Sequence, residues 1–122
     1  MRSTTITVYG IPNCDTVKKA RAWLAAQGIN HRFHDLKKEG VPADHLRRWL
    51  AEVGWEKLIN RQGTTWRRLA PEAQAAVDGP AGAADLARQQ PSVIKRPVVE
   101  WSEGGPVTVG FSAERWAELA AR

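Results

Sequence analysis

The stretch TITVYGIPNCDTVKKARAWL, Thr5 to Leu24, constrains the fold of this chain more than any other feature. Its hydrophobic period changes once, from about two residues to about 3.6, across a single turn. TITVY is β-branched and alternating, which predicts a short strand, and Gly10-Ile11-Pro12 supplies the turn signal that closes it. From Asp15 onward Val17, Ala20 and Leu24, with Trp23 beside them, line one helical face, and Gly28 supplies the stop. INHRFHDLKKEG then predicts a second strand around Asn30 to His34. A strand, a helix and a strand within roughly thirty residues make a βαβ unit.

The middle of the chain, 41–90, has no convincing strand and is expected to be an all-helical insertion. Pro42 stands where a first helical turn tolerates proline, and Leu46, Trp49, Leu50 and Val53 repeat at helical spacing as far as Gly54. Trp55 to Ile59, a segment opening at Thr65, and residues 79–90 predict further short helices. Beyond them, Pro97 to Trp101 and Pro106 to Gly110 form two β-like runs joined through a Gly-Gly hairpin signal. Ser112 is placed to cap a final helix carrying Phe111, Trp116 and Leu119. The order βαβ, helices, ββα predicts an α/β fold: a thioredoxin-like mixed four-stranded sheet with a helical insertion, forming one domain over 1–122.

Composition narrows the function classes. At 122 residues and 43% hydrophobic, the chain can bury a core of its own. Its formal charge of +5 favours acidic small molecules or acidic protein surfaces as partners. The basic residues are interleaved with Glu, Asp and Ala, as on solvated helix faces, so no direct nucleic-acid contact is expected. A single cysteine excludes an internal disulfide and points to a reducing, cytoplasmic setting. No run approaches the ~20 apolar residues of a membrane span, and no signal segment is expected at the N-terminus.

That cysteine, Cys14, falls between a strand's end and a helix N-terminus, where unpaired backbone NH groups and the helix dipole both favour a thiolate. The dipole alone corresponds to roughly a quarter to one and a half pKa units below a free cysteine's ~8.5. Lys18 lies one turn further on. Asp15, beside the sulfur, acts the other way. A buried apolar cysteine is the alternative, but such a filler belongs on an apolar helix or strand face, not in a Gly/Pro turn. The position favours a reactive thiol.

Other candidates carry less chemistry. His31 and His34, three apart in a strand, point to opposite faces, and no second cysteine completes a metal site. The six tryptophans are expected to pack a small core rather than stack on bases. In PSVIKRPVVEW, Arg96 precedes Pro97 as a strand begins; such a bond adopts either isomer, and the proline belongs at a turn or edge.

Three blocks together, YGIPNCDTVKKARAWL, NRQGTTWRRL at Asn60 to Leu69, and SVIKRPVVE, resemble the ArsC/Spx family and its YffB-like branch over nearly the whole chain. The resemblance implies a thioredoxin-like cytoplasmic protein with Cys14 as nucleophile. Among glutathione-linked arsenate reductases, the arginine before a cis-proline corresponds to Arg96 and Pro97. A second arginine falls near Asn60 or Arg61 and is assigned to Arg61. A third falls on or near Gly110 and is missing. Asn13, Thr16 and Lys18 complete the implied substrate- or glutathione-binding set around Cys14. The loss of one arginine and the presence of Asp15 reduce charge-assisted contacts worth about 1.5 to 3 kcal/mol each, which disfavours arsenate.

Val17 stands three residues after Cys14, so a CxxC switch of the Spx kind is impossible. A mixed disulfide at Cys14 therefore requires an external thiol to clear it, and glutathione, anionic and abundant in the cytosol, fits. The expected activity is that of a glutathione-dependent thiol reductase, with glutathione as co-substrate, no bound cofactor and no metal. The alternatives are a regulator that binds RNA polymerase, as Spx relatives do, and an arsenate reductase.

Overall fold

The computed structural model describes residues 5–121, which divide into two compact units. One takes the described residues up to Asp35 and from Arg96 on; the other is Leu36–Lys95. The insertion expected over 41–90 lies inside the second unit.

In the first unit β1 (Ile6–Gly10) leads into α1 (Asp15–Ala26), and β2 (His31–Asp35) returns parallel to β1 with Ile6 opposite His31 and Tyr9 opposite His34. The second unit strings together α2 (Leu36–Glu39), α3 (Ala43–Val53), α4 (Trp55–Leu58), α5 (Thr64–Arg67), α6 (Pro71–Ala75) and α7 (Pro80–Gln89), followed by a single 3-10 turn at Pro91–Val93. The chain then re-enters the first unit with β3 (Val98–Glu100), β4 (Val107–Val109) and α8 (Ala113–Ala120). All four strands form one sheet of order β2-β1-β3-β4. The β1–β2 pair is parallel, and β1–β3 and β3–β4 are antiparallel. This is the mixed thioredoxin-like sheet that the order βαβ and ββα implies.

β1 occupies the centre because its residues suit burial on both faces. Val8 is fully buried on one side and Tyr9 nearly so on the other. The Val8 side joins Ile6, Val99 and Trp101 to Ala20 and Leu24 of α1 and to Trp116 and Leu119 of α8. Trp116 presents edges or faces to Trp23, Trp101 and Phe111, with ring centroids 5.9, 5.1 and 4.7 Å away. Such tilted pairs add about 0.5–1.5 kcal/mol each beyond area burial. The Ser112 hydroxyl accepts from the Arg115 NH at 3.3 Å, the N-cap foreseen for this helix. Gly28, at φ 69°, ends α1 in the left-handed region where a side chain is disfavoured.

The second unit has its own core of Leu46, Trp49, Leu58, Val93 and Ile94. An antiparallel bridge between Ile59 and Ile94 ties its middle to its C-terminal end, with Lys95 NH donating to Leu58 O and Asn60 NH to Val93 O, each at 2.7 Å. Several details differ from the sequence reading: α2 and the 3-10 turn lie outside the expected helices, and Phe111 precedes α8, which begins at Ala113. Pro42 is the N-cap of α3, not a member of its first turn, because its backbone is extended (φ −68°, ψ 125°) although its carbonyl accepts from the Leu46 NH. α6 is absent from the sequence reading, since PEAQA is exposed apart from Gln74 and lacks an apolar stripe; Pro71 at its start and the Gln74 side chain bonded to Trp66 O hold it.

Candidate functional site

The chain leaving β1 makes one tight turn before α1. Pro12 and Asn13 are exposed at its tip, and Cys14 NH closes it on the Ile11 carbonyl at 3.1 Å. Cys14 is the N-cap of α1, with extended backbone (φ −89°, ψ 126°), and its carbonyl accepts the first helical bond from Lys18 NH at 2.9 Å. The geometry aims the side chain at the first turn's amides, which the helix itself leaves without partners. A neutral thiol is a weak acceptor and no side-chain capping bond is formed there. A thiolate is a strong acceptor.

The thiol is half-buried and unbridged. Burial pushes its pKa up, but the Val17 amide, the Arg96 side chain through hydrogen bonding and charge, and the Thr16 amide together pull it below the ordinary value. The sulfur is thus held toward its nucleophilic form. Arg96 comes from far along the chain. β3 runs antiparallel to β1 with Val98 opposite Tyr9, so residues just before Val98 lie beside the segment leaving β1. The Arg96–Pro97 bond is cis, Arg96 Nε is buried, and the Pro97 carbonyl accepts from Gly110 NH at 2.9 Å. Gly110 itself has φ 78°, a conformation that disfavours the arginine expected there in an arsenate site.

The remaining site candidates fall out differently. Thr16 acts through its backbone NH, its side chain being exposed. Asn13, Asp15 and Lys18 are exposed around the turn. Arg61 belongs to the Leu36–Lys95 unit, where it is exposed, 4.0 Å from Glu56 and 5.7 Å from the Trp55 ring centre. In the sequence Val17 reads as an apolar-face residue of the helix and as the position where a second cysteine is missing. Its amide is one of the groups that acidify the thiol, a role no side-chain pattern announces. His31 and His34 do take opposite faces: His31 accepts from Arg21 Nε at 3.2 Å, and His34 lies 4.9 Å from the Tyr9 ring. No cluster of metal-binding side chains occurs among the described residues. No helix among them is long and apolar enough to cross a membrane.

A thioredoxin-like sheet with an acidified cysteine at the β1–α1 turn and an arginine before a cis-proline defines a class of thiol-bearing domains. Within it, this chain belongs to the ArsC family, whose model matches residues 9–119. A solved YFFB protein is 47% identical with a TM-score of 0.87, covering 94% of this chain and 98% of its own. An arsenate reductase (ArsC) related protein from Brucella melitensis is also 47% identical, TM-score 0.74, with 97% and 96% covered. The global transcriptional regulator Spx of Streptococcus pyogenes serotype M6 is 26% identical over 96% of this chain and 86% of its own.

Proposed function

We propose that the protein is a thiol reductase that uses one nucleophilic cysteine and glutathione as the external reductant. The observation that carries this reading is the acidified Cys14 thiol beside Arg96 in a chain with no other cysteine. In the first step the Cys14 thiolate attacks one sulfur of a disulfide R–S–S–R, forming Cys14–S–S–R and expelling the other sulfur as a thiolate that takes a proton from water. In the second, a glutathione thiolate attacks the R-bearing sulfur of that mixed disulfide and expels Cys14 as the thiolate. A further glutathione reduces the resulting R–S–S–glutathione, so two glutathione thiols are oxidised for each disulfide reduced. Arg96 and the Val17 and Thr16 amides stabilise the sulfur as nucleophile and as leaving group. The test is incubation with oxidised glutathione followed by mass spectrometry. A single glutathionyl adduct on Cys14, released by reduced glutathione and absent from Cys14→Ser, is expected; no adduct, with alkylation no faster than that of free cysteine, overturns the reading.

Arsenate is the poorer substrate in this reading, because Asp15 and Gly110 stand where an oxyanion needs positive charge. Arsenate-dependent oxidation of glutathione that requires Cys14 would reverse that preference. The similarity to Spx regulators supports a second reading, in which the protein binds RNA polymerase and Cys14 is dispensable. Polymerase subunits recovered equally by wild type and Cys14→Ser from cell extract would favour it.

A further inference from the structure

We propose that Gly10 is a positioning residue for the Cys14 thiol: its missing side chain makes the seat for Val17, and that seat fixes the first turn of α1 beneath the sulfur. The proposal rests on the reading of Cys14 as the reactive group. A Cβ built on Gly10 lies 2.8 Å from Val17 Cγ2 and 3.2 Å from Cγ1, whereas its next neighbour, Phe33 Cε1, is at an ordinary 3.5 Å. The crowding is therefore with Val17 alone. Val17 is fully buried and β-branched, so it has little freedom to rotate away. A methyl at position 10 must move its backbone.

The consequence follows from where that backbone sits. Val17 occupies the third helical position after the Cys14 N-cap, and its amide is one of the two that face the sulfur. Interaction between an amide and a charge at a helix end falls off within one turn. Lifting Val17 by a few tenths of an ångström weakens the stabilisation of the thiolate while leaving Arg96 and the sheet in place. Gly10 closes β1 opposite Asp35 of β2, and the need for it here is steric, not torsional. Gly10 and Val17 are thus complementary, the one empty where the other is full.

The experiment follows thiolate absorbance against pH in wild type, Gly10→Ala and Gly10→Ala/Val17→Ala, with Cys14→Ser as blank. Gly10→Ala is expected to raise the Cys14 pKa by roughly half to one unit and to slow alkylation at neutral pH about three- to tenfold. The double variant removes both crowding atoms and is expected to restore the wild-type pKa, a reversal that a merely destabilised fold does not produce. If Gly10→Ala alone fails to fold, a double variant that folds with the wild-type pKa still supports the proposal, and one with a raised pKa overturns it. An unchanged pKa in folded Gly10→Ala also overturns it. A wild-type pKa at or above that of free cysteine is a different result, and removes the reactive-thiol reading itself.

Discussion

The Tyr9 hydroxyl donates to Glu100 Oε1 at 2.9 Å inside the sheet, across the antiparallel pair in which Tyr9 stands opposite Val98. Glu100 is two residues beyond Val98, so the bond runs diagonally between neighbours on one face. Among the described residues, Glu100 is the one buried residue with a charged side chain. A buried carboxylate deprived of a donor carries the cost of its lost hydration. Tyr9→Phe, which keeps the ring, is expected to cost about 1–3 kcal/mol in chemical denaturation. Tyr9→Phe with Glu100→Gln should cost less than the sum of the two single changes, since the pair interacts directly.

Arg96 acts on the sulfur by both hydrogen bonding and charge. Arg96→Gln keeps a donor and removes the charge, and is expected to raise the Cys14 pKa by roughly half to one unit, allowing for solvent screening at a half-buried site. Arg96→Lys should fall between, since an ammonium supplies the charge without the planar fork. The alkylation rate against pH measures both.

The lowered Cys14 pKa also couples ionisation to folding. An acid whose folded pKa is depressed binds fewer protons when folded than when unfolded, so it stabilises the fold above its unfolded pKa. That contribution is lost as pH falls through the folded value. Wild type should therefore gain stability relative to Cys14→Ser as pH rises through the folded Cys14 pKa toward the ordinary thiol value. Denaturant midpoints of the two proteins across that window, under reducing conditions, give the difference directly.

His31 has a consequence of the same sign in a more acidic window. Burial, then the nearby Arg21 charge, lower its pKa below the ordinary 6.5, with the Ile29 carbonyl pulling weakly the other way. Unfolded His31 takes up its proton first on acidification, so stability falls as pH drops below about 6.5 and levels off below the folded value. His31→Gln should flatten this part of the stability profile and leave the region above pH 7 unchanged.

Trp116 is almost wholly buried and touches three aromatic rings in one cluster. Trp116→Ala is expected to cost about 3–5 kcal/mol. Trp116→Phe should keep much of the packing and cost less than half of that, as read by thermal or chemical unfolding.

Much of the fold was legible because local patterns and tertiary demands agree. Val17, Ala20 and Leu24 repeat at helical spacing and are the residues α1 buries. The Gly-rich link between Trp101 and Pro106 joins two strands that do pair, Val98 opposite Val109. α6 is not legible in the sequence because its segment carries no apolar stripe, and Pro71 at its start is a weak signal without one. The site divides the same way. Cys14 at a strand-to-helix turn could be found from turn chemistry alone, whereas Thr16 and Val17 contribute backbone amides, which every residue but proline possesses and no sequence pattern marks.

The sequence by itself determined the mixed sheet, the position of the one thiol at a helix N-terminus, and the absence of an internal resolving cysteine, because each depends on local periodicity, turn residues or a count. Tertiary structure decided which groups surround the sulfur. Arg96 reaches Cys14 only because β3 returns antiparallel beside β1, and the Gly10–Val17 fit exists only once α1 has folded back over its own strand. Contacts of that kind depend on register and packing between elements distant in sequence, and local propensity does not encode them.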